Sequence, residues 1–302
     1  MHRPLIAALF LVLCLAVTGT FAAKTPLRIA YVDWSSSVAS ANLVCLLVSE
    51  RLQRPCELHE YTAEGMWRAV AAGEADVLLS AWLPDTHAHY LQRYGKDLVD
   101  LGPNLQGTRT GLVVPAVKVG RQTGALGMRN PAYVPARSIA DLEGLGERFH
   151  YRIIGIDPQA GIMRATRRAM TVYGLDRYRL VEGSEHSMTQ ALAEAIGRQQ
   201  PIVVTGWVPH WMFDRWALRF LDDPEGVYGG SGSIHTLVRP GLGQAMPRVT
   251  ALLDRFHWSV EDMNRLLIWN RQDQVLDPYG NARRWVQTHP QAVADWLNPE
   301  EG

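Results

Sequence analysis

A chain of 302 residues is about twice a common domain length, so two lobes are expected. Apolar residues make up 47% and charged residues 20%, an ordinary globular composition. Lysine plus arginine and aspartate plus glutamate both number 30, so no excess charge directs the chain to nucleic acid or to an anionic membrane surface.

The chain opens on a short basic start, Met1-His2-Arg3-Pro4, followed by the apolar run Leu5–Val17 and then Thr20-Phe21-Ala22-Ala23. This order is that of a secretory signal peptide over residues 1–23, cleaved near Ala22 or Ala23 and leaving an exported, periplasmic protein. An uncleaved anchor is the alternative, but the apolar run is short for one, and no later segment reaches the ~18 uninterrupted apolar residues of a span. Cys14 follows the bulky Leu13, a poor lipid-attachment box. That leaves Cys45 and Cys56, for which two arrangements stay open. Export permits a disulfide, and two separate buried thiols are the alternative.

Leu27–Val32 is rich in apolar and β-branched residues and predicts a strand ending at Asp33-Trp34. Ser35–Ser37 caps a helix that carries Val38, Leu43, Leu46, Leu47 and Leu52 at helical spacing. A strand at Cys56–Tyr61, a helix at Glu64–Ala72 closed by Gly73, and a strand at Ala75–Ala81 follow. This β-α-β-α-β order predicts a parallel sheet with right-handed crossovers. Trp82 comes next, Pro84 bars further pairing, and His87 falls on the first turn of a helix. Trp34 and Trp82 therefore stand at the carboxyl ends of strands, where open α/β sheets bind ligands.

Asn104–Gly107 reads as a turn, Gly111–Pro115 as an exit strand, and Ala116–Pro135 as a surface insertion without periodicity. A second unit begins with a helix start at Ser138–Leu142. Strands are expected at Tyr151–Ile156, Tyr178–Glu182 and Ile202–Thr205, the last terminating at Gly206-Trp207, with helices at Met163–Tyr173 and Met188–Ile196. Short strands at Leu218–Leu221 and Ile234–Val238 return the chain to helical patterns at Gln244–Phe256, Val260–Trp269 and Asn281–Trp296. The reading is α/β with two lobes: residues 24–113 and 237–302 form lobe 1, and 114–236 form lobe 2. A hinge of two crossing segments, Gly111–Pro115 and Ser233–Arg239, joins them across a ligand cleft.

In the second lobe Gly155–Met163 is a strand, a turn and a helix start. A helix beginning near Gly161 offers unpaired backbone N–H groups and a positive dipole end, suited to a carboxylate or phosphate. Small residues at 160 and 161 allow close approach of a ligand. The glycine spacing is neither a P-loop nor a dinucleotide fingerprint. Trp207 stands at a strand end as Trp34 and Trp82 do, but in the other lobe, so the three indoles would face one another across the cleft. Core packing is the alternative for any one of them, and it is the assignment for Trp67, Trp211, Trp216, Trp258, Trp269, Trp285 and Trp296.

An aromatic box suits a quaternary ammonium, which has no N–H to donate and is held by indole faces at about 0.5–2 kcal/mol each. Tyr31-Val32-Asp33-Trp34, Ser80–His87, Gly155–Met163 and Thr205–Phe213 resemble signature stretches of the glycine betaine-binding proteins of ABC-type osmoprotectant importers. Asp222-Asp223-Pro224, Ile234-His235-Thr236 and Phe256-His257-Trp258 extend the resemblance to about residues 27–296. The resemblance implies a two-lobed periplasmic binding protein fold that closes on its ligand and docks on a membrane permease, with no cofactor, metal or catalytic residue. It assigns Trp34, Trp82 and Trp207 to a prism around the trimethylammonium group. The carboxylate would then fall to the amides of Gly161 and Ile162 and to His87. Two departures stand out: Gln159 where glycine is usual, and the insertion after Pro115.

Choline, carnitine or proline betaine would use the same prism, and the carboxylate contacts argue against choline. An exported hydrolase would draw on His87, His89, His186, His210 and His235 with Asp85, Asp157 and Glu185. No His-x-x-x-His, Gly-x-Ser-x-Gly or clustered carboxylate pattern supports it, and no three close ligands mark a metal carrier.

Overall fold

A computed structural model of the chain describes residues 24–116, 134–272 and 276–297. The signal peptide expected at 1–23 and most of the insertion expected at 116–135 lie outside the described residues.

β1 (Leu27–Tyr31), α1 (Ser35–Glu50), β2 (Cys56–Glu60), α2 (Ala63–Ala71), β3 (Val77–Leu83) and α3 (Ala88–Tyr94) open the fold. β4 (Val99–Pro115) carries the chain to α4 (Asp141–Gly144), β5 (Arg152–Ile154), α5 (Gly161–Val172), β6 (Arg179–Val181), α6 (Glu185–Gly197), β7 (Val204–Val208), α7 (Met212–Arg215) and β8 (Leu218–Phe220). β9 (Gly232–Val238) returns it to α8 (Leu242–Ala245), α9 (Pro247–Arg255), α10 (Val260–Gln272), α11 (Pro278–Thr288) and α12 (Pro290–Leu297).

The strands run in the order β2-β1-β3-β9-β4-β7-β5-β6, with β8 on β4. β1 is parallel to β2 and β3, and β5 is parallel to β6 and β7, as two β-α-β units require. β3 is buried along its whole length, because α1 and α2 pack on it and β1 and β9 flank it. α1 shows little amphipathicity for a related reason: it lies between this sheet and the helices α10 and α11.

β4 spans 17 residues and links the lobes. Up to Thr108 it pairs with β9, and from Arg109 it pairs with β7. The turn expected at Asn104–Gly107 is instead strand. Gly102 and Gly107 have positive φ, and the β4–β9 register shifts between Asp100 and Pro103, Pro103 and Leu105, and Gln106 and Thr108. The glycines serve bulges that twist a continuous strand, not a reversal of direction. Buried Asn104 is held within the sheet by donating to the Leu79 carbonyl at 3.2 Å and to Thr236 Oγ1 at 3.0 Å.

Two long C-terminal helices divide at prolines. The pattern at Asn281–Trp296 is α11 and α12, broken at Pro290, and that at Gln244–Phe256 is α8 and α9, broken at Pro247. Proline lacks the N–H that the preceding turn needs and starts the new helix at N1. The apolar periodicity continues across both breaks because both halves face the same core, where Trp285 and Trp296 stack with centroids 5.4 Å apart.

Of the two arrangements open for the cysteines, the structure holds the disulfide: Cys45 on α1 is bonded to Cys56 at the start of β2. The bridge spans a sequence separation of 11, and closing so short a loop removes about 3 kcal/mol of unfolded-chain entropy. Urea unfolding with and without reductant is expected to differ by about that amount. Equal midpoints would show the bridge to be without consequence for folding.

Candidate ligand site

Trp82 is the penultimate residue of β3 and Trp207 that of β7, each followed by one apolar residue and a proline. Both strands therefore run slightly past their expected ends, and both indoles stand at a carboxyl edge. Trp34 follows β1 as the N-cap of α1. The three side chains belong to buried residues, at 7%, 5% and 5% relative exposure for Trp34, Trp82 and Trp207.

His87 is locked to Trp82 by a reciprocal pair. Its backbone N–H donates to the Trp82 carbonyl at 2.8 Å, and its Nδ1 accepts from the Trp82 N–H at 3.1 Å. An accepting Nδ1 leaves the proton of a neutral ring on Nε2, which becomes a donor. Burial, reinforced by the nearby His89, pushes the His87 pKa down to about 3. Trp67 and Tyr90, both from its own lobe, pack on the ring at centroid distances of 5.9 and 5.5 Å.

A depressed histidine pKa has a definite consequence for stability. The unfolded chain takes up the proton from about pH 6.5 downward and the folded chain does so only near 3. His87 therefore stabilises fully above the unfolded value, and its contribution is lost as the pH falls through that window. In ligand-free protein the stability gap between wild type and His87→Gln is expected to shrink by about 2 kcal/mol between pH 7.5 and 5. Urea titrations at several pH values measure it, and a gap independent of pH would mean a solvated ring.

Opposite this group lies the start of α5. Its N-cap is Ala160, with no side-chain cap, so the first helical N–H groups, of Gly161 and Ile162, have no acceptor among the described residues. Gly161 packs on the backbone of Thr86 in the other lobe. A Cβ on Gly161 would sit 2.8 Å from the Thr86 carbonyl carbon and closer still to its oxygen. Gln159 takes no positive φ, so the place of the usual glycine is filled without strain. Its carbonyl accepts from the Tyr90 hydroxyl at 2.6 Å.

All six residues expected from sequence, Trp34, Trp82, His87, Gly161, Ile162 and Trp207, line one cavity between the lobes. Thr86, Thr110, Ile156 and Ala160 complete the wall. About 30 Å³ is open to the centre of a water-sized sphere, against the ~10–15 Å³ that a single water needs. With His87 neutral, none of these ten lining residues carries a charge.

Thr86 and Ala160 lie inside stretches already marked by sequence, and Ile156 ends a predicted strand. Thr110 had no local signal. It reaches the cavity only because β4 sets it opposite Trp207. The histidines of the hydrolase alternative are dispersed. His235 pairs with Asp100 at 2.9 Å, while His210 lies 3.1 Å from Glu185, which also accepts from Trp211 Nε1 at 3.2 Å. Burial raises the Glu185 carboxyl, and His210 with the Ser35 N–H more than offsets this, holding it below its ordinary pKa.

A family model for the substrate binding domain of ABC-type glycine betaine transport systems matches residues 25–288. The glycine betaine/carnitine transport binding protein GbuC of Listeria monocytogenes is 43% identical over 159 residues, covering 52% of this chain. The match spans 52% of that protein, about half its length. The crystal structure of lactococcal OpuAC, closed and complexed with glycine betaine, is 35% identical, with a TM-score of 0.81 over 91% of this chain and 100% of that one. The glycine betaine/L-proline-binding protein ProX of Borrelia burgdorferi is 34% identical, with a TM-score of 0.82 over 92% and 98% of the two chains. The fold is thus that of the two-lobed periplasmic substrate-binding proteins.

Proposed function

We propose, from the premise that this chain belongs to the family of substrate-binding domains of ABC-type glycine betaine transport systems, that its cavity captures glycine betaine or a close carboxylated relative. Trp34, Trp82 and Trp207 take the trimethylammonium group, and the N–H groups of Gly161 and Ile162 with His87 Nε2–H take the carboxylate. The loaded protein, exported by way of residues 1–23 to the periplasm, delivers the ligand to a membrane permease. No helix among the described residues is long and apolar enough to cross a membrane. The protein binds and releases its ligand and catalyses no reaction. The hinge lies where β4 exchanges β9 for β7 and where β9 re-enters the first lobe.

One observation carries the choice of ligand: the cavity wall is aromatic and bears no formal charge, with helix-start amides at one side. A lone cation there would find no charged partner among the lining residues, and desolvating it without one is costly. A zwitterion brings its own counter-charge and finds donors for it. Glycine betaine is therefore favoured over choline. Isothermal titration with glycine betaine, proline betaine, carnitine and choline decides. Glycine betaine should bind, with choline at least ~10-fold weaker, a difference of about 1.4 kcal/mol. Heat from none of the four would refute the reading, and heat from choline alone would reassign the ligand.

A further inference from the structure

Asp157 is not among the residues that line the cavity, yet it reaches across the cleft. Trp34 donates its Nε1–H to Asp157 Oδ2 at 2.9 Å. The next residue of the same turn, Ser35, donates its backbone N–H to Glu185 Oε2 at 2.9 Å. Two carboxylates of lobe 2 thus grip the lobe 1 turn between β1 and α1. Asp157 also sits on the β5–α5 loop, whose far end presents the amides of Gly161 and Ile162. One short loop therefore offers donors for an anion and an acceptor that fixes the neighbouring indole.

An indole in a cavity wall can present its face or its edge, and a carboxylate on its N–H selects one of these. Resting on the betaine reading above, we infer that Asp157 is a positioning residue. Its hydrogen bond to Trp34 turns the indole face toward the bound cation and fastens the closed lobes, so that it slows release of the ligand. The bond joins opposite lobes and so exists only after closure. Removing it acts on dissociation and leaves encounter with the open protein unchanged.

The test is stopped-flow tryptophan fluorescence with glycine betaine, after calorimetry on the wild type. Asp157→Ala is expected to raise the dissociation rate about tenfold or more, as for loss of a hydrogen bond to a charged group, with the association rate within about twofold. Trp34→benzothienylalanine replaces the N–H by sulfur and keeps the aromatic face, so it should speed release to the same degree. Combined, the two changes should do no more than either alone. If Asp157→Ala does not fold, the Trp34 variant carries the test by itself. A wild type that binds no betaine overturns the ligand reading and this inference with it. A wild type that binds, with unchanged release in the variants or with additive effects in the pair, overturns the inference alone.

Discussion

Gly161→Ala is expected to weaken betaine capture by ~10- to 100-fold or more while leaving the fold intact. The added methyl would meet backbone first, which no side-chain rotation can move aside. It would meet the backbone of Thr86 at 2.8 Å from the carbonyl carbon, so either α5 shifts or the lobes stay apart. Both remedies separate the amides of Gly161 and Ile162 from His87, and these belong to opposite lobes. Overpacking of this kind costs about 1–3 kcal/mol even inside one core, and here it falls wholly on the closed state. Affinity should therefore drop by ~10- to 100-fold or beyond detection. Gly161 has no positive φ and lies at the start of a helix, so the open protein should tolerate alanine there. Calorimetry for affinity, circular dichroism for folding and small-angle scattering for lobe closure together test this. Wild-type affinity in the variant would mean that the bound state is more open than the structure.

The parts of the site that sequence revealed are those set by local chemistry. A tryptophan at a strand's carboxyl end, with proline two residues on, announces itself at Trp82 and Trp207. A helix start after a turn, with small residues at 160 and 161, does so at Gly161. Thr110 depends on Trp207 in the neighbouring strand, and no spacing near it hints at this. Asp157 lies in the marked stretch Gly155–Met163 but reads from sequence only as an acid–base candidate, because its partner Trp34 stands across a cleft. Gly102 and Gly107 illustrate the opposite failure: the same residues mark a turn and a bulge, and only the pairing of β4 with β9 decides between them. The division of the last helix at Pro290 was legible in principle. The apolar pattern outvoted it because Trp285 and Trp296 share one core.

Trp82→Ala and Trp207→Ala are each expected to weaken glycine betaine binding by at least ~10-fold, since each removes one indole face worth about 0.5–2 kcal/mol together with its apolar contact. The two residues come from opposite lobes, so comparable losses in both would place the cation between the lobes and not within one. Shape alone could produce the same losses, and the carbon isostere tert-butylacetate separates the two causes. It has the outline and carboxylate of glycine betaine but no positive charge. Three indole faces acting on a cation predict roughly 1.5–6 kcal/mol in favour of betaine, about 10-fold at the very least. The Trp82→Ala and Trp207→Ala variants should narrow that preference, because what they lose is attraction to charge. A wild type that bound both compounds equally would reduce the prism to a hydrophobic pocket, and the physical ground for preferring a quaternary ammonium would be gone.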